Sequence, residues 1–192
     1  MSSFGVSAPR VDVRQNWQMW YGALSKEVCN SLVAELSQQE AVEATTFNSD
    51  SSVRSSKIRW VNGRDDIKKM LYSFALTANR NAFNVDISDF CEIQFTEYDA
   101  ESGGHYGWHH DVNIESLSPY DRKLSIVVQL SDAGSYDGGD FMFDEVKSPE
   151  DFKLRHQGTV LVFPSFLRHR VTTVTRGVRH SLVAWFEGPK WR

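Results

Sequence analysis

The sequence predicts an α+β domain that is mainly β, a sandwich or jelly roll with two N-terminal helices packed on one outer face. Three observations carry this. Two amphipathic helical patterns occupy the first ninety residues, eight short strand-like runs follow Asp89, and turn residues separate those runs at regular intervals. A chain of 192 residues suits one domain with a sizeable core rather than two. It is read as a single domain over 1–192, with a leader over 1–14, a helical support over 15–90 and a strand core over 91–188.

Residues 15–23 (QNWQMWYGA) are aromatic-rich and strand-like, and end at the Gly22 turn. Ser25 is a natural N-cap for a helix over 26–39, whose Val28, Cys29, Leu32, Val33 and Leu36 recur at helical spacing. Residues 41–56, rich in Ser, Thr and Asn, read as a loop or flap, and 57–61 as a short strand broken by Asn62-Gly63. A second helix over 65–82 carries Ile67, Leu71, Phe74, Ala75 and Ala78 on one face. The strands expected after Asp89 are 91–98, 105–111, 124–130, 140–143, 152–156, 159–163, 169–174 and 180–186. Ser102-Gly103-Gly104, Ser118-Pro119, Asp137-Gly138-Gly139, Ser148-Pro149, Gln157-Gly158 and Arg176-Gly177 supply the turns between them.

Composition excludes several classes. Hydrophobic residues make up 41% and aromatics 12% of the chain, enough for a packed core. No apolar run approaches the ~18 residues that span a bilayer, and MSSFGVSAPR lacks the apolar stretch of a secretory signal. Cys29 and Cys91 sit among apolar neighbours and are expected as two buried thiols in a reducing compartment, the cytoplasm. The net charge of −4 argues against nucleic acid as a partner. Arg168, Arg170, Arg176 and Arg179 cluster, but lie across a predicted hairpin and cannot all face one way.

The chemistry concentrates in residues 104–113, Gly-His-Tyr-Gly-Trp-His-His-Asp-Val-Asn. On a strand, His109 and Asp111 would point to the same side and supply two thirds of a two-His-one-carboxylate metal site. His110 then faces the other way, since a pair shifted by one residue would match it with Val112, which has no carboxylate. His156, His169 and His180 are the distal candidates. His169 follows the Pro164-Ser165 break and opens the penultimate strand, which in a jelly roll can lie beside an early one. His105, His156 and His180 otherwise read as loop or strand residues. Ten residues beyond His169 comes Arg179, with Ser181 on the same face, suited to clamp a carboxylate in a bidentate fork. The plainer readings are a surface Arg179 and a core Tyr98.

The ordered set His109-x-Asp111, His169, Arg179-x-Ser181 resembles the Fe(II)- and 2-oxoglutarate-dependent oxygenases, in particular their prolyl-hydroxylase branch with the bacterial and phage-type PKHD-type hydroxylases. The resemblance covers roughly residues 15–190 and is strongest over 98–111 and 158–186. It implies a distorted double-stranded β-helix over 91–188, with His109, Asp111 and His169 as iron ligands and Arg179 on the distal carboxylate of 2-oxoglutarate. It also implies a co-substrate contact from Tyr98, an aromatic at Tyr106 before the metal pair, Gln129 where relatives often place a tyrosine, and a structural Asp137-Gly138-Gly139 turn. Ser181 belongs to the same co-substrate set. Trp108 and Trp185 are candidate aromatic walls.

The segment 99–105 is about two residues longer than the pattern, and the basic residue is Arg179 where animal collagen-type enzymes use Lys. The implied cofactors are Fe(II), 2-oxoglutarate and O₂, with ascorbate as an accessory reductant. The implied reaction hydroxylates a C–H bond, foremost of a prolyl residue in a peptide or protein, while 2-oxoglutarate becomes succinate and CO₂. Residues 47–58 and 113–121 would border the site mouth. A hydroxylase of a free amino acid, a silent metal-binding module and a zinc hydrolase are the rival readings; the last needs a general base that the sequence does not offer.

Overall fold

The computed structural model describes residues 15–44 and 53–191; the leader over 1–14 and residues 45–52 of the expected loop lie outside them. In chain order the elements are β1 (Gln18–Trp20), α1 (Lys26–Leu36), β2 (Val42–Glu43), β3 (Arg54–Ser55), β4 (Lys57–Trp60), α2 (Asp65–Ala78), β5 (Cys91–Asp99) and β6 (His105–His109). They continue with β7 (Tyr120–Gln129), β8 (Tyr136–Gly138), β9 (Phe141–Phe143), α3 (Asp151–Leu154), β10 (Val160–Pro164), β11 (His169–Val171) and β12 (Val174–Pro189). Antiparallel pairing gives a major sheet in the order β1-β10-β7-β12-β5-β4-β2, with β8 also on β12, and a minor sheet in the order β3-β6-β11-β9. This is the expected jelly roll, mainly β, with helices as a minority.

Strand alternation sorts the major sheet into two faces. Leu124, Ile126 and Val128 of β7, Val160 and Val162 of β10, and Leu182, Ala184 and Phe186 of β12 form one apolar face. Cys29, Leu32 and Leu36 of α1 and Ile67, Leu71, Ala75 and Ala78 of α2 pack on it, so both helices do cover one outer face. Ser25 caps α1 by accepting the Val28 amide at 3.4 Å. The opposite face turns toward the minor sheet across a second cluster containing Tyr98, Phe141, Phe143, Leu161, Phe163 and Val171. Cys29 is buried and Cys91 half-buried, both as free thiols.

Several boundaries depart from the sequence reading. The run 152–156 is not a strand: Lys153 and Arg155 amides bond back to the Glu150 and Asp151 carbonyls, making the single helical turn α3. Only Leu154 of this turn enters the core, whereas Phe152 is 63% exposed, so the alternation that suggested a strand is one buried residue on a helical turn. The strand expected over 105–111 stops at His109, and the one expected from 124 starts at Tyr120. The strand expected over 169–174 ends at Val171, and the predicted Arg176-Gly177 turn is absorbed as an irregularity in β12 where it pairs with β8. Gly177 makes this passage possible, since a Cβ there would stand 2.2 Å from the Ser135 carbonyl oxygen. Two short strands, β2 and β3, occupy the ends of the expected 41–56 loop, and part of the Asp137-Gly138-Gly139 turn is strand β8. The helix expected to 82 stops at Ala78 and continues as a π-turn over Asn79–Phe83, where the Asn79 side chain holds both the amide and the carbonyl of Val85.

Gly158 ties the helical layer to the strand core. Its carbonyl accepts the Leu24 amide at 3.1 Å, its φ is +82°, and an added Cβ would lie 1.9 Å from the Leu24 carbonyl oxygen. Gly158→Ala is therefore expected to destabilise the fold by about 2 kcal/mol or more in urea unfolding. A loss below about 0.5 kcal/mol would show that the Leu24 backbone yields freely.

Candidate active site

The site begins with a cross-strand pair. His109, the last residue of β6, faces His169, the first residue of β11, in antiparallel register, and the register shifts just after this pair. Beyond His109 the chain bends, and the amides of Asp111 and Val112 both donate to the Ser165 carbonyl, at 3.0 and 3.2 Å. Asp111 thus reaches the two imidazoles from a bend anchored to the loop before β11, not from the strand alternation expected for it. Its Oδ1 stands 3.6 Å from His109 Nε2 and its Oδ2 3.5 Å from His169 Nε2. The three residues offer ligand atoms that all lie within 4.8 Å of one another, an arrangement that could hold a metal ion.

Hydrogen bonds fix the form of each candidate ligand. His109 Nδ1 lies 2.8 Å from the Gly107 carbonyl, and His169 Nδ1 lies 2.8 Å from the Leu167 carbonyl. A carbonyl only accepts, so each Nδ1 carries a proton and Nε2 is the nitrogen turned toward a metal. Burial pushes His169 down to about 4, which leaves it neutral at physiological pH. Burial acts in the opposite direction on Asp111, but the neighbouring imidazoles and the Ser125 hydroxyl outweigh it and hold the carboxyl below the usual carboxylate range. Ser125 Oγ donates to Asp111 Oδ2 at 2.6 Å and lies 2.9 Å from Ser165 Oγ. Since the Ser125 proton goes to Asp111, Ser165 donates to Ser125, and the relay orients the carboxylate. Two imidazoles and one carboxylate converging on one point suit a divalent cation such as Fe(II).

Aromatic rings hold the imidazoles in place. Tyr106 stacks on His109 with centroids 3.5 Å apart and planes at 12°. Phe141 stacks against His169 at 5.3 Å, and Phe163 meets it edge-on at 4.8 Å. The ligands open into a cleft of about 400 Å³, open mouth included, between the two sheets. The major sheet lines it with Gln94, Tyr98, Val127, Arg179, Ser181, Val183 and Trp185. Trp108 is not in this wall; it packs under the guanidinium of Arg170 at 4.6 Å.

Arg179 lies in the middle of β12 rather than at its start, is only 3% exposed, and lines the cleft. Its guanidinium carbon is 5.6 Å from the Tyr98 ring. Among the described residues neither Arg179, nor the Tyr98 hydroxyl, nor the Ser181 hydroxyl has a hydrogen-bond partner or a facing carboxylate. Gln129 sits apart from the three ligands, in a small adjoining cavity that shares Arg179 with the cleft. Its Nε2 donates to the Ser131 carbonyl and the Tyr136 hydroxyl, both at 3.1 Å, while its buried Oε1 has no partner.

The other histidines stay away from the three ligands. His110 bonds the Phe166 carbonyl from the exposed side, His156 stacks on Tyr21, and His180 stacks on Phe95. Sequence reasoning missed Ser125, Ser165, Arg54 and Phe141, which orient a ligand or line the cleft. The one available signal was a serine set among the apolar residues of β7.

The fold and the site define an oxygenase-type jelly roll, and residues 93–187 match the model of the 2OG-Fe(II) oxygenase superfamily. Over that stretch the chain is similar to the superfamily, and its curated relatives include PKHD-type hydroxylases. A PKHD-type hydroxylase of Synechococcus sp. (strain CC9311) is 38% identical over 87 residues, which is 45% of this chain and 38% of that protein. A prolyl-4-hydroxylase of Pseudomonas putida superposes with a TM-score of 0.71 at 24% identity, over 89% of this chain and 92% of that one. A prolyl hydroxylase of Trichoplax adhaerens, solved with a hypoxia inducible factor peptide fragment, gives 0.69 at 17% identity over 89% and 83%. The match to the Synechococcus relative spans about two fifths of that protein's length.

The Ser125 hydroxyl is the donor that fixes Asp111, and its removal leaves every candidate ligand atom in place. Ser125→Ala is expected to weaken Mn(II) or anaerobic Fe(II) binding by about tenfold in calorimetry. Unchanged affinity would mean that the backbone bonds to Ser165 suffice to aim the carboxylate.

Proposed function

We propose that this chain is an Fe(II)- and 2-oxoglutarate-dependent dioxygenase that hydroxylates a prolyl residue in a peptide or protein. One observation carries the reading. Two imidazoles and a carboxylate converge at one side of a cleft, and a buried guanidinium without a partner among the described residues lines its other side. A buried, unpaired guanidinium is costly unless an anion completes it, and the distal carboxylate of 2-oxoglutarate is such an anion. His109, Asp111 and His169 would hold the iron. Arg179, with the Tyr98 and Ser181 hydroxyls, would orient the co-substrate, and Gln129 would support the inner end of that pocket.

When bound, Fe(II), 2-oxoglutarate and O₂ supply the oxidising chemistry, converting the co-substrate to succinate and CO₂ while a C–H bond gains a hydroxyl. The chain's own part is positioning and the exclusion of water. Ser165 and Ser125 aim Asp111, the Gly107 and Leu167 carbonyls set the imidazole tautomers, and Tyr106, Phe141, Val183 and Trp185 wall the reacting zone with apolar surface. Apart from the three ligands, no carboxylate or histidine lines the cleft among the described residues. This removes the general base that a hydrolase would need.

The PKHD-type relative supports a hydroxylase, and the prolyl hydroxylases that share the fold support a prolyl substrate. No described helix is long and apolar enough to cross a membrane. Free thiols at Cys29 and Cys91, each raised to about 11 chiefly by burial, agree with a reducing, cytoplasmic setting.

Succinate release under air, with Fe(II), 2-oxoglutarate and ascorbate, tests the activity against a panel of proline-containing peptides. Turnover that rises with a peptide and disappears in His109→Ala supports the proposal; turnover indifferent to every peptide would overturn the prolyl substrate. His169→Ala is expected to lose metal affinity and activity together. Arg179→Ala should weaken 2-oxoglutarate binding by roughly 10- to 100-fold, the loss of a charge-assisted hydrogen-bonded pair, with metal affinity within about threefold of wild type. Equal loss of both affinities would make Arg179 a structural residue.

A further inference from the structure

The cleft contains a second guanidinium with no acidic partner. Arg54 belongs to β3 at the edge of the minor sheet and stands opposite Tyr106 in the pairing with β6. Its guanidinium carbon lies 4.4 Å from the Tyr106 ring centroid, and that same ring stacks on His109. Its Nε donates to Ser56 Oγ at 2.9 Å, which fixes the orientation of the fork. Among the described residues, neither Nη atom has a hydrogen-bond acceptor and no carboxylate pairs with the group. Outside the cleft most described arginines, Arg59, Arg64, Arg122, Arg155, Arg168 and Arg176, pair with an Asp or Glu, while Arg170 lies over the Trp108 ring without one. Of the two arginines that line the cleft, Arg179 and Arg54, neither has one among the described residues. Arg179 is buried, and Arg54 is half-buried, nearer the rim.

Charge balance then specifies what is lacking. This step rests on the oxygenase reading given above. The charges of Fe(II) and of the 2-oxoglutarate dianion cancel, and Asp111, the one carboxylate lining the cleft among the described residues, offsets Arg179. Arg54 is left over, one ring away from a metal ligand, with two parallel donors directed by the Ser56 bond. Tyr106 adds a phenol hydroxyl that has no hydrogen-bond partner among the described residues. A planar fork with a neutral hydroxyl beside it matches a carboxylate, which it can engage with two N–H groups.

We infer that Arg54 receives a carboxylate of the primary substrate, so that the C–H bond oxidised belongs to an acid: a free imino or amino acid, or the C-terminal residue of a peptide. An internal prolyl residue offers only its own neutral carbonyl here. Arg54 in this reading is a specificity-determining residue rather than a co-substrate ligand.

The test uses the Fe(II)-loaded full chain with 2-oxoglutarate under anaerobic conditions, titrated with N-acetyl-L-proline and with N-acetyl-L-prolinamide while tryptophan fluorescence is followed. The acid is expected to bind about tenfold more tightly than the amide, the scale of one charge-assisted hydrogen-bonded contact. Arg54→Gln should bring the two within about twofold, and Arg54→Lys, which keeps the charge but not the planar fork, should retain part of the preference. The ratio of acid to amide within each variant separates lost recognition from a general loss of folding. Parallel titrations with L-proline and with Gly-Gly-L-proline distinguish the two sources of the carboxylate, and tight binding of either supports the inference. Equal binding of acid and amide by the wild type, a preference that survives in Arg54→Gln, or no binding of any of the acids would overturn it. If the wild type fails to bind 2-oxoglutarate before any acid is added, the oxygenase reading falls as well. A bound co-substrate with no acid preference sinks this inference alone.

Discussion

The antiparallel pairing of His109 with His169 is the constraint on which the site depends. It places two imidazoles from strands sixty residues apart in the chain side by side, before any metal is considered. Each ring is then turned by a hydrogen bond to the carbonyl two residues earlier in its own chain, Gly107 for one and Leu167 for the other. The same local device, used twice, points both lone pairs the same way. Asp111 completes the set through longer-range links: its amide and side chain both lead to the loop that delivers His169, through the Ser165 carbonyl and the Ser125–Ser165 hydroxyl pair. The ligands are therefore positioned by one another's supports, which makes the site a property of the β6–β11 junction rather than of any single segment.

The major sheet gives this junction something to face. Its outer side is apolar and carries α1 and α2; its inner side replaces part of that apolar surface with Gln94, Tyr98, Arg179 and Ser181. Polar groups on a buried sheet face are unfavourable without partners, so this side of the molecule is less stable than a fully apolar face would be. The helical layer compensates by keeping the opposite side of the same strands continuous and dry. Layer and site are thus coupled through shared strands, since β7, β10 and β12 supply alternate residues to each.

Much of this was legible in the sequence because it depends on local pattern. The helical stripes of α1 and α2, the N-cap at Ser25 and the alternation in β5, β7, β10 and β12 all follow from spacing that the residues display directly. The three candidate ligands and Arg179 stand out in the sequence because their chemistry is unusual for the positions they occupy. What escaped depends on tertiary context. The helical turn α3 has an apolar pair that fits either a strand or one buried side chain, and Arg155, bonded to the Gly138 and Tyr136 carbonyls, decides for the turn. The Arg176-Gly177 pair has turn chemistry, yet pairing with β8 draws it into a strand. Asp111 was expected beside His109 by strand alternation and arrives there through a bend. Ser125 and Arg54 are ordinary residues until the fold sets one beneath a carboxylate and the other over an aromatic ring.

β12 has a bearing on how such a protein can diversify. A strand rises about 3.3 Å per residue, so the inward series Arg179, Ser181, Val183 and Trp185 acts as a ruler along the cleft. Adding or deleting one residue within it would exchange that series for Leu182, Ala184 and Phe186, the face that α1 and α2 cover. Lineages that keep the fold can therefore repaint the marks on this ruler but cannot change its length. Innovation in what the cleft accepts is channelled into side-chain replacement along β12 and into the lengths of the connecting segments around its mouth.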